Sequence, residues 1–474
     1  MFVLFYTRKK NFKEDFITMH LIILILSLGT IMFLAYKGYS TIITAPIVAL
    51  ITLLLTFGFD SHLMANYTLV YMDGFAGFVK NYFPLFLTGA IFAKLMEETG
   101  YAHAIAHTII RWLKPERAIL AVVLSGALLT YGGVSLFVVA FVLYPIATLL
   151  FKEADIPKRL IPGTIALGAF TFTMTALPGT PEIQNVIPMT YFKTDTFAAP
   201  GIGLLASALI FGLGMLYLNN QAARAKKVNE GYGESMEQKT KIPSKTPSIW
   251  LALAPIVVIF SANLFFSKFY YPYIDGSYLE KYNTTLDSQS GTWSVIISIV
   301  IAIVLILLLN IGKIKNLQSV LDQGVKNSFV PLLNSSAIVG YGSIIKTLPI
   351  FASIQTMILN LSPNPIITEA LSVNIICGLT ASASGGLGIT LNALAPTFLQ
   401  MSEPLGISPE ILHRIAALAS GGLDTLPHNG AVITTLAIFG LTHKQSYKDI
   451  FFTSVIIPIT VTALIVILTS FVYR

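Results

Sequence analysis

Charge is what this chain has least of. Only 11% of its 474 residues are Asp, Glu, Lys or Arg, against about 25% in soluble domains. In their place 54% are hydrophobic, and the mean hydropathy is +0.74. That scarcity excludes an ordinary soluble protein and leaves a polytopic membrane protein. Cysteine is scarcer still: the single thiol, Cys377, rules out an internal disulfide framework and a cysteine metal site, and its apolar neighbours mark it as a buried, inert side chain. Neither His-Glu-x-x-His nor Gly-x-Ser-x-Gly occurs, so the zinc-hydrolase and serine-hydrolase signatures are both missing; no metal, cofactor or enzymatic activity is expected. The net charge of +7 is no nucleic-acid footprint, because the basic residues lie in short loops between apolar segments, where the positive-inside rule accounts for them. The first apolar run, Leu21 to Tyr36, ends without a small-residue cleavage site and reads as a retained span rather than a signal peptide.

Long apolar runs take the place of charge, and two of them have an awkward length. One, from about Ala118 to Phe151, is centred on Leu128-Leu129-Thr130-Tyr131-Gly132-Gly133-Val134-Ser135. The other, from Ile366 to Leu399, is centred on Thr380-Ala381-Ser382-Ala383-Ser384-Gly385-Gly386-Leu387-Gly388. As one helix either would measure roughly 51 Å against a hydrocarbon core of ~30 Å, and two full spans with a turn would need about 43 residues. The length fits a re-entrant hairpin, in which two half-length helices enter and leave on the same side and meet near the membrane middle at a Gly-Gly turn flanked by hydroxyls. Bare backbone at that depth is tolerated only where it is buried in protein or lines a polar cavity.

Spans are expected at about 21–36, 41–57, 82–96 and 198–218, and again at about 249–267, 293–309, 326–346 and 450–472. An amphipathic interfacial helix covers Tyr101–Leu113, with His103, His107 and Arg111 in one stripe, and a second amphipathic piece covers Ile350–Leu361. Two segments, about 158–190 and 410–440, are too long for a plain span. They are interrupted at Leu177-Pro178-Gly179-Thr180-Pro181-Glu182 and at Gly421-Gly422-Leu423-Asp424-Thr425-Leu426-Pro427-His428-Asn429-Gly430, and read as broken helices. Residues 1–18 form a charged tail, and Met19, directly before the first run, is a candidate natural start. Residues 19–219 and 248–474 contain the same parts in the same order on either side of a polar linker at 220–247. Each repeat has five spans, one of them broken, and one re-entrant hairpin; an odd number of crossings inverts the second copy. The expected fold class is an all-α polytopic membrane protein of two inverted-topology repeats. The lysine and arginine bias puts the linker in the cytoplasm, so the first hairpin opens from the cytoplasm and the second from outside.

Inverted repeats with helices broken at the midplane are the architecture of alternating-access carriers. The second half-helix of each hairpin points unsatisfied N–H groups into the membrane centre, which favours a carboxylate. Thr130, Ser135, Thr180, Ser382, Ser384, Thr390, Asn392, Thr425 and Asn429 supply neutral hydrogen-bonding groups, and Gly132, Gly133, Gly385 and Gly386 allow close backbone approach. A small hydroxylated organic anion suits that inventory. Ionisable groups beside the breaks are expensive in a membrane and read as proton or cation sites: Asp424 first, then Glu182 and His428. No deep arginine is evident, so the anion is expected to be singly charged.

With these residues in view, the chain resembles the gluconate permease (GntP) family of bacterial proton-coupled organic-acid carriers, within the ion transporter superfamily. The likeness runs from Met19 onward and rests on the order of hairpins and breaks, on the block Gly421–Gly430, and on the following Leu441-Thr442-His443-Lys444. It looks most like the branch associated with 3-hydroxybutyrate or related short acids; the sugar-acid branch has His-Pro-Gly-Pro where this chain has Pro178-Gly179-Thr180-Pro181-Glu182. The resemblance implies import of a small monocarboxylate driven by the proton gradient, a scaffold with a moving transport domain, a homodimer, and residence in the bacterial cytoplasmic (inner) membrane. Sodium coupling or cation/proton antiport is the alternative, since hydroxyls and freed carbonyls at the breaks equally hold Na⁺.

Overall fold

A computed structural model describes residues 18–31, 33–34, 37, 39–113, 115–134, 136–233, 247–351, 353, 362–380, 382–427 and 429–473. Of the sequence expectations, Ser135, His428, the tail before Thr18, linker residues 234–246 and most of the 350–361 amphipathic piece lie outside these. The described residues are helical and contain no strand. In chain order the main helices are α1 (Thr18–Ile31), α2 (Thr41–Phe57), α3 (Leu63–Glu98), α4 (Tyr101–Leu113), α5 (Ala118–Tyr131), α6 (Leu136–Glu153), α7 (Leu160–Ala169), α8 (Ile183–Phe192) and α9 (Pro200–Lys227). They continue as α10 (Ile249–Phe265), α11 (Leu286–Leu309), α12 (Leu317–Thr347), α13 (Pro365–Thr380), α14 (Ala383–Ser402), α15 (Pro409–Ser420), α16 (Gly430–Ile438) and α17 (His443–Val472).

Among the described residues, seven helical stretches are long and apolar enough to cross a membrane: Thr41–Ser61, α3, α9, Ile249–Tyr273, α11, α12 and α17. Two differences from the expected spans follow from polar residues inside helices. Helix α3 begins at Leu63 rather than near 82, because Asn66, Asp73, Lys80 and Asn81 interrupt its apolar pattern without interrupting the helix. Helix α9 runs to Lys227, into the segment assigned to the linker, since Arg224, Lys226 and Lys227 are good helix formers. Of the expected span at 21–36, α1 covers the part up to Ile31, and residues 32, 35 and 36 lie outside the described residues.

The long helices α3 and α12 pack antiparallel along their length. Glycines at both ends of the contact bring the backbones together: a Cβ on Gly74 would lie 2.9 Å from Ser343 Cβ, and one on Gly324 would lie 2.9 Å from Ile91 Cα. Between them Phe83 stacks on Phe329 at 6.3 Å.

The two expected hairpins are helix pairs, α5 with α6 and α13 with α14. The first turns at Gly132-Gly133, with Gly133 at φ +80°. The second differs from expectation. Gly385 and Gly386 lie in the first turn of α14, which starts at Ala383; Ser382 caps it by accepting from Gly385 N at 3.1 Å. Gly386 is there for close approach, since a Cβ would fall 2.5 Å from Cys377 Cα on α13. Cys377 is buried, as expected.

Both broken helices are present. The first is α7, a short turn at Phe172–Thr175, an irregular stretch, then α8; the second is α15, a turn at Leu423–Thr425, then α16. They meet where a Cβ on Gly421 would lie 2.7 Å from Thr175 Cγ2. At the far end of α7, Arg159 donates to Glu230 Oε1 at 2.7 Å and to Asp449 Oδ2 at 2.9 Å, and Tyr217 donates to Asp449 Oδ1 at 2.9 Å. This cluster ties α7 to α9, to the residues after α9, and to α17.

Candidate functional site

The first hairpin tip packs on the first break. Tyr131 donates to the Pro178 carbonyl at 3.0 Å, and a Cβ on Gly133 would lie 3.3 Å from Pro181 Cγ. Gly133, Pro181 and Glu182 line one wall of a cavity of about 700 Å³; Lys94 and Glu97 of α3 and Lys326 of α12 lie on the other. That volume suits a small organic molecule. Glu182 precedes α8 in extended backbone, and its side chain makes no capping bond. Thr180 is buried, with its hydroxyl 3.4 Å from Glu182 N. The Thr130 hydroxyl is fully buried with no hydrogen-bond partner.

The second tip faces α12, where Ser384 and Ser335 hydroxyls are 3.0 Å apart. Helix α13 packs against the second break, with a Cβ on Gly378 falling 2.6 Å from Leu423 Cβ. Asp424 is 8% exposed, and its Oδ1 has no partner. Two neighbours proposed as binding groups are engaged within the break. Asn429 accepts from Ala431 N and Val432 N, capping α16, and donates to the Asp424 carbonyl at 2.9 Å. Thr425 donates to Ser454 Oγ at 2.9 Å, and its carbonyl accepts from Tyr447 OH. Thr390 donates to Gly386 O. Asn392 lines a separate cavity of about 330 Å³ with Asn81 and Lys346, and its carbonyl accepts from Lys346 Nζ. The structure thus joins Gly133 and Glu182 in one cavity and places Asn392 in another.

The expectation of no deep arginine is overturned by Arg414, which is fully buried on α15. Its donors reach the carbonyls of Ala176, Thr196 and Ala198 and the Asn185 side chain at 2.8–3.2 Å. Beside it, His413 sits between Thr194 Oγ1 (2.6 Å) and Asn185 Oδ1 (3.1 Å). A guanidinium with its donors filled by freed carbonyls holds the broken backbone and has nothing left for a ligand. The signal that could have found it is the run Ile411–Ala419, apolar but for His413 and Arg414. Glu369 on α13 was also missed; it is fully buried, and neither carboxyl oxygen has a partner.

The sequence profile of the GntP family permeases matches residues 19–472. A Bacillus subtilis (strain 168) protein described as an uncharacterized transporter, YxjC, is 46% identical over 468 residues, covering 95% of this chain and 98% of the relative. An uncharacterized transporter of Haemophilus influenzae is 28% identical over 178 residues, covering 36% of this chain and 39% of its own. Among solved structures, the Alcanivorax borkumensis YdaH transporter, reported to have an unusual topology, aligns with a TM-score of 0.56 at 14% identity, covering 88% of this chain and 90% of that one. That likeness is one of fold. A family match over nearly the whole chain, with long apolar helices and two broken helices, makes this protein a member of the GntP family of permeases, a multi-pass membrane transporter.

Proposed function

We propose that the protein imports a small (hydroxy)monocarboxylate, of the gluconate or 3-hydroxybutyrate kind, together with protons by alternating access across the bacterial cytoplasmic membrane. The observation that carries this reading is the cavity of about 700 Å³ that brings the first hairpin tip and Glu182 of the first break against Lys94 and Lys326. Backbone N–H groups at the start of α8, with the small Gly133 beside them and the Thr180 hydroxyl nearby, suit a carboxylate bearing hydroxyls. Asp424 is the coupling group in this reading: a nearly buried carboxyl with an unpartnered oxygen is far less costly in its neutral form. The two helix pairs act as re-entrant hairpins, and α3 and α12, antiparallel across Phe83 and Phe329, form the axis of an inverted repeat. Such a carrier would function as a homodimer built on its scaffold helices.

Uptake into proteoliposomes tests the reading, using a panel of labelled hydroxy acids with pH and Na⁺ gradients imposed separately. Accumulation of a monocarboxylate that follows the pH gradient is the expected result. Accumulation that follows Na⁺ and ignores pH would replace proton by sodium coupling, and no uptake of any organic acid would refute the substrate class.

A further inference from the structure

Two short segments repeat a pattern that the hairpins and breaks do not include. Val79-Lys80-Asn81-Tyr82-Phe83 in α3 and Val325-Lys326-Asn327-Ser328-Phe329 in α12 both read Val-Lys-Asn-x-Phe. The copies meet in space, for the aromatic pair that stacks at 6.3 Å where α3 and α12 cross is made of their last residues, Phe83 and Phe329. Because the helices run in opposite directions, the two Lys-Asn pairs leave that crossing toward opposite ends of the molecule. Lys326 and Asn327 line the larger cavity with Gly133 and Glu182. Asn81 lines the smaller cavity with Asp73, Thr190, Lys346 and Asn392, and Lys80 is its chain neighbour outside that lining.

Both lysines are exposed, and neither forms an ion pair. In the larger cavity the other lysine, Lys94, is taken by Glu97 at 3.2 Å, which leaves Lys326 as the lining cation without a carboxylate. Lys80 stands about halfway along a helix that is roughly 54 Å long. An ammonium at such depth is costly unless it faces a polar path or an anion, and intramembrane lysines therefore mark substrate routes. Lysine supplies a point charge and the adjacent asparagine an amide donor, which together match one carboxylate with a neighbouring hydroxyl.

We propose that Lys80-Asn81 and Lys326-Asn327 are two equivalent docking points for the carboxylate of the transported anion, one serving each face of the membrane. The proposal rests on the organic-anion reading above. A carrier that opens to each side in turn must recognise the same solute at both mouths, and a repeated motif on either side of the Phe83–Phe329 contact presents the same chemistry to each.

The full chain is reconstituted in vesicles of known orientation, and half-saturation for exchange of a labelled monocarboxylate is measured from each face, a quantity independent of the amount of active protein. Lys326→Gln is expected to raise half-saturation at the cytoplasmic face by about tenfold or more, the usual effect of losing a charge-assisted hydrogen bond, and at the outer face by less than about twofold. Lys80→Gln should do the reverse. Asn327→Ala and Asn81→Ala should follow their lysines with smaller shifts, and Lys326→Arg, which keeps the charge, should stay within about threefold of wild type. Unchanged values in all the neutral variants, or equal shifts at both faces, would overturn the docking points while leaving the carrier reading intact. A wild-type protein that exchanges no organic anion would overturn the carrier reading itself, before any variant is made.

Discussion

Asp424 and Arg414 are both nearly or fully buried beside helix breaks, and the fold treats them in opposite ways. Arg414 has its donors filled by three carbonyls and the Asn185 side chain, whereas Asp424 Oδ1 has no partner. Function therefore points to the acid and stability to the base. Asp424→Asn mimics the protonated form; it should keep exchange of labelled for unlabelled substrate and lose accumulation driven by a pH gradient, which vesicle assays separate. Arg414→Met should leave the Ala176 and Ala198 carbonyls short of donors, while Thr196 keeps those of Asn185 and Gly179, and should cost on the order of 3 kcal/mol, visible as a lowered unfolding temperature in detergent, with no pH-dependent component. The acid was legible because it stands in a block of glycine, proline and asparagine. The base was not, because Glu410 and His413 precede it in α15 and make the segment look like a flanking loop. Burial of that whole turn is a tertiary outcome: it depends on carbonyls freed more than 200 residues earlier, as the separation of 238 positions from Ala176 illustrates.

At the scale of elements, run length alone foretold two helix pairs and two broken helices, because neither one span nor two fits about 34 residues. The tips were less legible, since a Gly-Gly pair specifies permissiveness and not its use. In the first pair it supplies the positive φ of the turn at Gly133; in the second it lets α14 lie against the backbone of α13. The two glycines should accordingly fail differently. Gly133→Ala should cost about 1–2 kcal/mol for a left-handed alanine and leave the rest of the pair in place. Gly386→Ala should force α13 and α14 apart, and the readout is Cys377: buried in wild type, it should become reactive toward thiol reagents in the Gly386 variant and stay silent in the Gly133 variant.

For the whole molecule, the order of elements was legible from apolar runs and their interruptions. The lengths of α3 and α12 were not, because helices carrying Asp, Lys and Asn on a polar face have weak hydropathy signals; mean hydropathy is 1.2 in α3 and 1.3 in α12 against 3.0 in α11. The proposed orientation is checked in a Cys377→Ser background. Lys227→Cys, at the end of α9, should react with impermeant thiol reagents only from the cytoplasm, and Glu280→Cys, before α11, only from outside. Labelling of both from one side would remove the inverted repeat.

The clasp at the end of α7 bears on how such a chain is made. Asp449, which completes the pairing of Arg159, lies 290 positions further along. The carbonyls at the first break wait in the same way for Arg414. On the ribosome the first half therefore enters the membrane with Arg159 held by Glu230 alone, one carboxylate partner short, and with the Ala176 and Ala198 carbonyls waiting for Arg414, and it holds an unfinished shape until the second half is inserted. A truncated product lacking α17 should be recognised by quality-control proteases as incomplete, and separately expressed halves should be stable only when synthesised together.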